Sequence, residues 1–199
     1  YNSLCGTGDT SFLFIGIQET PLVDAGLDDT ICVNQTATLA GDTTHSTTIQ
    51  WTTLGDGTFN LNTILNPVYT PGAADLANGF IELILTASPI APCADAAKDT
   101  MLLTFDPLPI AEAGIDGVIC ENGTFTMVGI RTFSNSSTWA TAGDGTFDDN
   151  TSLTAIYTPG VTDIALGNVV LTLTADAINP CTTVSTDDMT LTLDPLPIS

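Results

Sequence analysis

Apolar and polar residues alternate at period two in two long stretches of this chain, and the pair of stretches occurs twice. Ile81, Leu83 and Leu85 form one apolar set and Met101, Leu103 and Phe105 the next; Val169, Leu171, Leu173 and Met189, Leu191, Leu193 are their later counterparts. Alternation of this length predicts strands with one buried face. Shorter stretches of the same kind place strand A near 23–31, B near 36–41, C near 48–53, E near 64–70, F near 79–87 and G near 99–106. Turn signals fall between them at Gly55-Asp56-Gly57, at Thr70-Pro71-Gly72 and in the proline-rich 89–92. No stretch has a helical apolar period, and only 73–78 has room for a single helical turn.

The segment from Trp51 through Gly55-Asp56-Gly57 to Thr58-Phe59 returns as Trp139, Gly143-Asp144-Gly145 and Thr146-Phe147, 88 positions later. It reads as a strand that ends in a tight turn, with the tryptophan as core anchor. The offset of 88 holds without a gap: Cys32 maps to Cys120, Tyr69-Thr70-Pro71-Gly72 to Tyr157-Thr158-Pro159-Gly160, Asp75 to Asp163 and Cys93 to Cys181. About half of the aligned positions are identical. The register also runs backwards, from Cys93 to Cys5 and from Pro109 to Pro21. Four segments follow: 1–20 as the tail of a preceding unit, 21–108 and 109–196 as two complete units, and 197–199 as the start of another. The expectation is a mature or cropped piece that belongs to, or polymerises into, a longer array. About seven short strands per unit match an all-β fold of tandem immunoglobulin-like sandwiches.

Charge narrows the function classes. Of 199 residues, 23 are acidic and only Lys98 and Arg131 are basic, for a formal net charge of -21. Such a surface repels nucleic acid, which is bound by neutralising phosphates with Lys and Arg, and it repels acidic membrane surfaces. It favours solubility and divalent cations. Acidic chains are often disordered, but this one is 43% hydrophobic and its apolar residues alternate. No apolar run approaches a membrane helix, so direct membrane insertion is not expected.

Ala-Gly-x-Asp at 25–28 and 113–116, Trp-x-x-x-Gly-Asp-Gly at 51–57 and 139–145, and the two Tyr-Thr-Pro-Gly turns resemble PKD-type immunoglobulin-like repeats. The whole unit is similar to the tandem repeats of secreted surface proteins of Bacteroidota: adhesins, gliding-associated proteins and extracellular fibres. The resemblance implies export, an extracellular or cell-surface location, a role as stalk or adhesive module, and adjacent copies or repeats of the same protein as partners, with glycans or cell surfaces beyond them. It also implies O-glycosylation at Asp-Ser/Thr-apolar motifs, which here fall on Thr30, Thr43 and Thr100. The repeat-matched sequons at Asn34 and Asn122, with Asn135 and Asn150, add four acceptors of another type.

Five cysteines at repeat-matched spacing, with no Cys-x-x-Cys pair and a single histidine, His45, read as disulfides rather than a metal site. Pairing within a unit gives Cys32–Cys93 and Cys120–Cys181. In a seven-stranded sandwich, however, the A–B turn and the F–G loop lie at opposite ends. A strand of seven residues is roughly 23 Å long, while bridged Cα atoms stand about 5.5–6 Å apart. Because the far end of one unit meets the near end of the next, topology favours Cys32–Cys181 across the junction, with the within-unit pairing as the alternative. Cys5, Cys93 and Cys120 then face units outside this stretch.

The first copy of strand G differs from the others. Its inward set, Leu13, Ile15 and Ile17, matches the other two, but Phe12 and Phe14 stand where the complete units carry Thr100, Leu102 and Asp188, Thr190. A strand apolar on both faces expects cover on both. Two readings stay open: the last strand of an ordinary upstream repeat, or a donor strand with Phe12, Leu13, Phe14 and Ile15 inserted into another subunit.

Candidate chemistry is confined to carboxylates. Asp56 and Asp144 sit in the Gly-Asp-Gly turns and Asp75 and Asp163 after the Tyr-Thr-Pro-Gly turns, while Asp28 and Asp116 are placed in strand A and Asp106 and Asp194 begin the linkers. Calcium takes about six to eight oxygens, and linker, turn and next-unit carboxylates together are the candidate ligands of a junction ion. Turn chemistry alone also explains aspartate at such places. No nucleophile elbow, phosphate loop or histidine pair points to an enzyme. The function read from the chain is a structural repeat of an extracellular fibre or surface adhesin. A carbohydrate-binding accessory module, with Trp51 and Trp139 stacking on sugar, is one alternative, and a filament subunit assembling by strand donation from 8–18 is the other.

Overall fold

A computed structural model describes residue 13 and residues 15–197. The first half contains β1 (Leu22–Asp24), β2 (Asp29–Cys32), β3 (Ala37–Thr38), β4 (Asp42–Thr44), β5 (Ser46–Thr53), β6 (Thr58–Phe59), β7 (Val68–Thr70), α1 (Ala73–Asn78), β8 (Phe80–Pro89) and β9 (Ala97–Asp106). The second contains β10 (Ile110–Glu112), β11 (Gly117–Cys120), β12 (Phe125–Thr126), β13 (Ile130–Thr132), β14 (Ser137–Thr141), β15 (Thr146–Phe147), β16 (Ile156–Thr158), α2 (Val161–Leu166), β17 (Asn168–Ala175) and β18 (Ser185–Asp194).

Each half builds the same set of sheets. One is four-stranded, in the order β2-β9-β8-β5 and again β11-β18-β17-β14. Its first pair is parallel and the rest antiparallel. The other sheets are a ribbon, β1-β4 or β10-β13, and a three-stranded sheet, β3-β7-β6 or β12-β16-β15. The period-two residues lie where alternation puts them: Ile81, Leu83, Leu85, Met101, Leu103 and Phe105 are buried, as are Val169, Leu171, Leu173, Met189, Leu191 and Leu193. Two separate cores result, one within 25–105 and one within 111–193. A fully buried leucine contributes about 1.5–3 kcal/mol, so each core supports its own half.

Strand A is not continuous over 23–31. It breaks into β1, which pairs with β4, and β2, which pairs with β9. Gly26, at φ 89°, makes the crossover in the left-handed region that favours glycine. Backbone groups freed by the break find side-chain acceptors. Ala25 N–H donates to Asp99 Oδ2 over 2.7 Å, and Asp28 Oδ1 accepts from Leu102 N–H over 2.8 Å. Asp28 therefore lies in the crossover, not in a strand, and Asp116 does likewise, accepting from Thr190 N–H at 2.8 Å. Strand B shortens to β3, with β4 following it in the ribbon beyond the expected bounds, and strand E shortens to β7. The single helical turn forms at 73–78 as α1 and recurs as α2.

Candidate functional site at the junction between repeats

Two constructions meet where one half gives way to the next. The first is an interlocked pair of aspartates that closes the far end of each sandwich. Asp75, buried on α1, accepts Tyr69 O–H at 2.6 Å, Gly57 N–H at 3.0 Å, Gly72 N–H at 3.1 Å and Asp56 N–H at 3.2 Å. Asp56, in the turn, accepts in return from Ala74 N–H at 3.1 Å and Asp75 N–H at 3.2 Å. Each carboxyl group holds the backbone of the other's segment. A six-residue helix is too short to persist alone; here its free N–H groups are capped by a side chain 18 residues earlier in the chain.

The second half repeats the clamp. Asp163 accepts from Tyr157 O–H at 2.6 Å, Gly160 N–H at 3.0 Å, Gly145 N–H at 3.1 Å and Asp144 N–H at 3.2 Å. Asp144 accepts from Thr162 N–H at 3.0 Å and Asp163 N–H at 3.2 Å. The clamp explains the glycines before the turn aspartates: a Cβ on Gly55 would collide with Asp75 and one on Gly143 with Asp163. Behind each clamp stand the aromatic residues of the core. Trp51, Phe59 and Tyr69 follow one another at centroid distances of 6.4 and 4.9 Å, and Trp139, Phe147 and Tyr157 at 6.3 and 4.9 Å.

Electrostatics follow from these bonds. The Ala74 N–H holds the Asp56 carboxyl below its ordinary value, and the Thr162 N–H does the same for Asp144. Burial, followed by the hydrogen bond to the clamp aspartate, pushes the Tyr69 and Tyr157 hydroxyls up to about 12.

The second construction joins the halves. Cys32 closes β2 and registers opposite Asp106 at the end of β9. It is bonded to Cys181 in the loop between β17 and β18, with Cα atoms 4.9 Å apart and a sequence separation of 149. Cys181 Sγ lies 3.5 Å from the carbonyl oxygens of both Asp106 and Pro107, so the loop of the second half rests on the linker from the first. A small cleft beside it is lined by Asp106, Pro107, Phe133 and Ile178. The within-unit partners of the alternative pairing, Cys93 and Cys120, are free, the first half-buried and the second exposed.

The eight aspartates do not converge as a junction ion would require. Among the described residues, no three His, Cys, Asp or Glu side chains gather in a way that could hold a metal. Asp56, Asp75, Asp144 and Asp163 spend their oxygens on backbone N–H groups and tyrosine hydroxyls within one sandwich, and Asp28 and Asp116 on the N–H groups of Leu102 in β9 and Thr190 in β18. Asp106 and Asp194 take part through their backbone carbonyls, which accept from Val33 N–H at 3.0 Å and Glu121 N–H at 2.9 Å.

Of the candidate acceptors, Thr30 and Thr100 are exposed. The Thr43 hydroxyl is engaged, donating to the Leu22 carbonyl at 2.7 Å. Asn34, Asn122, Asn135 and Asn150 are exposed. Trp51 and Trp139 are 0% and 2% exposed, so neither indole ring is offered to a sugar. Leu13 and Ile15 are exposed, while Phe12 and Phe14 lie outside the described residues. His45 places Nε2 3.1 Å from Glu19 Oε2.

Two sets of residues at this site escape a reading of the sequence. One is the tyrosine hydroxyls, although Tyr-Thr-Pro-Gly followed by Asp recurs in both units. The other is Asp99 and Asp187, which accept from Ala25 and Ala113 N–H. Their signal is parity: each sits two residues before a buried methionine, a polar residue on an otherwise apolar face.

The fold is shared with tandem cadherin-type modules of known structure. The EC1–4 segment of Drosophila N-cadherin is 12% identical over 89% of this chain and 50% of that one, with a TM-score of 0.51. The EC1–3 segment of protocadherin gamma C5 is 12% identical over 89% of this chain and 69% of that one, at 0.50. The I9–I11 tandem from titin is 12% identical over 87% and 66%, at 0.43. The chain spans about half to two thirds of the length of these structures, and at such identity the likeness to the two cadherin-type segments is one of fold. No protein-family model and no curated protein sequence matches the chain. The chain is an all-β protein of immunoglobulin-like sandwiches. Among the described residues, no helix is long and apolar enough to cross a membrane.

Proposed function

We propose that this chain is a structural, non-catalytic repeat segment of an extracellular fibre or surface adhesin, in which sandwiches stack end to end and are cross-linked at each junction. One observation carries the reading: Cys32 of one sandwich is bonded to Cys181 of the next, across a linker against which the same sulfur packs. A disulfide between modules constrains how they sit on each other and serves a stalk rather than a pocket. Disulfides of this kind persist in oxidising compartments, which supports export. The net charge of -21 keeps such arrays apart from one another and from acidic surfaces. Adjacent repeats of the same kind are the primary partners. A secreted surface protein of Bacteroidota type remains the finer reading, and it rests on the Trp-Gly-Asp-Gly and Tyr-Thr-Pro-Gly motifs.

Electron microscopy of the native material tests this directly. A continuous fibre or stalk with an axial spacing of one sandwich is expected. Dispersed monomers that bind a glycan array would replace this reading with the carbohydrate-binding one, against which the buried tryptophans already argue.

A further inference from the structure

Leu13, Ile15 and Ile17 stand 84%, 77% and 90% exposed. They lie 88 positions before Met101, Leu103 and Phe105, which are 4%, 0% and 5% exposed in β9. A second mark lies at the same place. Cys93 Sγ sits 3.4 Å from the Gln18 carbonyl and 3.8 Å from that of Glu19. Cys181 has the same relation to Asp106 and Pro107, 88 positions on, and there the sulfur is bonded to the cysteine that registers opposite Asp106. Transposed by one repeat, a cysteine belongs opposite Gln18, within bonding reach of Cys93. An uncovered apolar row and a positioned thiol point to the same missing body.

We propose that residues 13–18 form the last strand of a further sandwich, and that Cys93 is bonded to the cysteine which that sandwich carries in the place of Cys32. The occupant is a preceding repeat of the same polypeptide, complete but for this strand. It would pair with residues 13–18 as β2 and β8 pair with β9, in parallel on one side and antiparallel on the other. A second copy of this chain does not fit as the acceptor, because both of its sandwiches already hold a last strand, β9 and β18. Continuity within one polypeptide is favoured by Cys5, which keeps the 88-residue register of the loop cysteines. A segment that keeps the register of the loop cysteine as well as that of the strand continues a sandwich rather than lending to one. The inference rests on the stacking reading above and identifies its third body. Bond formation removes two protons and two electrons from the paired thiols and passes them to an external disulfide, which leaves as two thiols.

The test uses native protein whose free thiols are blocked before digestion without reduction. The Cys93 peptide is expected in disulfide linkage to a peptide bearing a cysteine in a β2-like sequence, with no subunit released when the intact protein is reduced. Recovery of Cys93 as a blocked free thiol, or bonded to a small thiol, overturns the proposal. Release of a separate subunit on reduction also overturns it, in favour of strand donation between polypeptides. Hydrogen exchange reads the strand independently. Amides of 13–17 are expected to exchange on the order of a hundredfold or more slower than an unpaired chain, and those of Met101–Phe105, paired in β9, are expected to do the same. Unprotected amides there overturn the strand assignment even if Cys93 is bonded. None of these failures touches the Cys32–Cys181 junction, so the stacking reading stands or falls separately, on the fibre.

Discussion

The aspartate clamp and the cysteine junction both fasten distant segments together, but they depend on different things. The clamp is complete in each half, with the same donors and almost the same distances. It needs nothing outside its own sandwich. The junction is closed once, at Cys32–Cys181, while the equivalent cysteines Cys93 and Cys120 are free. Their exposure follows the same division: Cys32 and Cys181 are buried at 0% and 4%, Cys93 half-buried and Cys120 exposed. Folding is thus settled within a repeat, and order between repeats is settled by a neighbour.

The comparison breaks most sharply at Asp75. Replacing it with alanine strands three backbone N–H groups and a tyrosine hydroxyl at a buried site, each unmade bond costing about 1–3 kcal/mol less what water recovers. Asp75→Ala is expected to destabilise the first sandwich by about 3–5 kcal/mol in urea denaturation, and Asp163→Ala to do so for the second alone. Loss of both sandwiches from either single substitution would show that the cores are not separate.

Cys32→Ser comes next. A disulfide that closes a long loop typically contributes about 2–4 kcal/mol. Thermal unfolding should shift accordingly, with native strand content unchanged by circular dichroism. Small-angle scattering should then report freer motion of one half on the other. If scattering is unchanged, packing at the linker rather than the sulfur bridge fixes the junction.

Acidity separates the two constructions as well. Tyr69 and Tyr157 are pushed up to about 12, so the folded state favours the neutral phenol. Their contribution is whole below the unfolded value of about 10 and is lost as pH rises from there through 12. Tyr69→Phe and Tyr157→Phe together should therefore flatten the loss of stability between those pH values. Asp56 and Asp144 are lowered, so what they contribute is whole above the unfolded carboxyl value of about 3.9 and is lost as pH falls below it. A stability profile followed to both extremes checks both directions. The smallest effect expected is that of chelation: EDTA should leave the thermal midpoint unchanged, since the clamp oxygens are already taken by N–H groups. A fall in the midpoint would reinstate a junction ion.

The sequence carries the fold in its period-two rows and its repeat, and Trp51 and Trp139 are the core anchors that their strand position implies. What it does not separate is an aspartate that caps a turn from one that awaits a metal. Both want a glycine-rich turn and a second carboxylate nearby. The difference lies in which N–H groups face the oxygens, and a local pattern does not hold that. The break in strand A was hidden for a related reason. Gly26 marks it, but the apolar residues on either side keep their alternation while the backbone changes sheets. The partner of Cys32, by contrast, follows from which ends meet rather than from spacing, and the topology expected from the sequence points to Cys181, to which it is bonded.

The bridge between Cys32 and Cys181 also decides what happens when the ends of the chain are pulled apart. Load entering at one terminus crosses from Cys32 to Cys181 through sulfur, and the stretch between them, a separation of 149, carries none of it as extension. Were that bridge absent, the same stretch could pay out roughly 500 Å at about 3.3–3.6 Å per residue. The covalent loop, at 149, is longer than the repeat of 88. A series of such bridges would therefore overlap, each loop sharing part of its length with the next, and no single sandwich could be drawn out of the column.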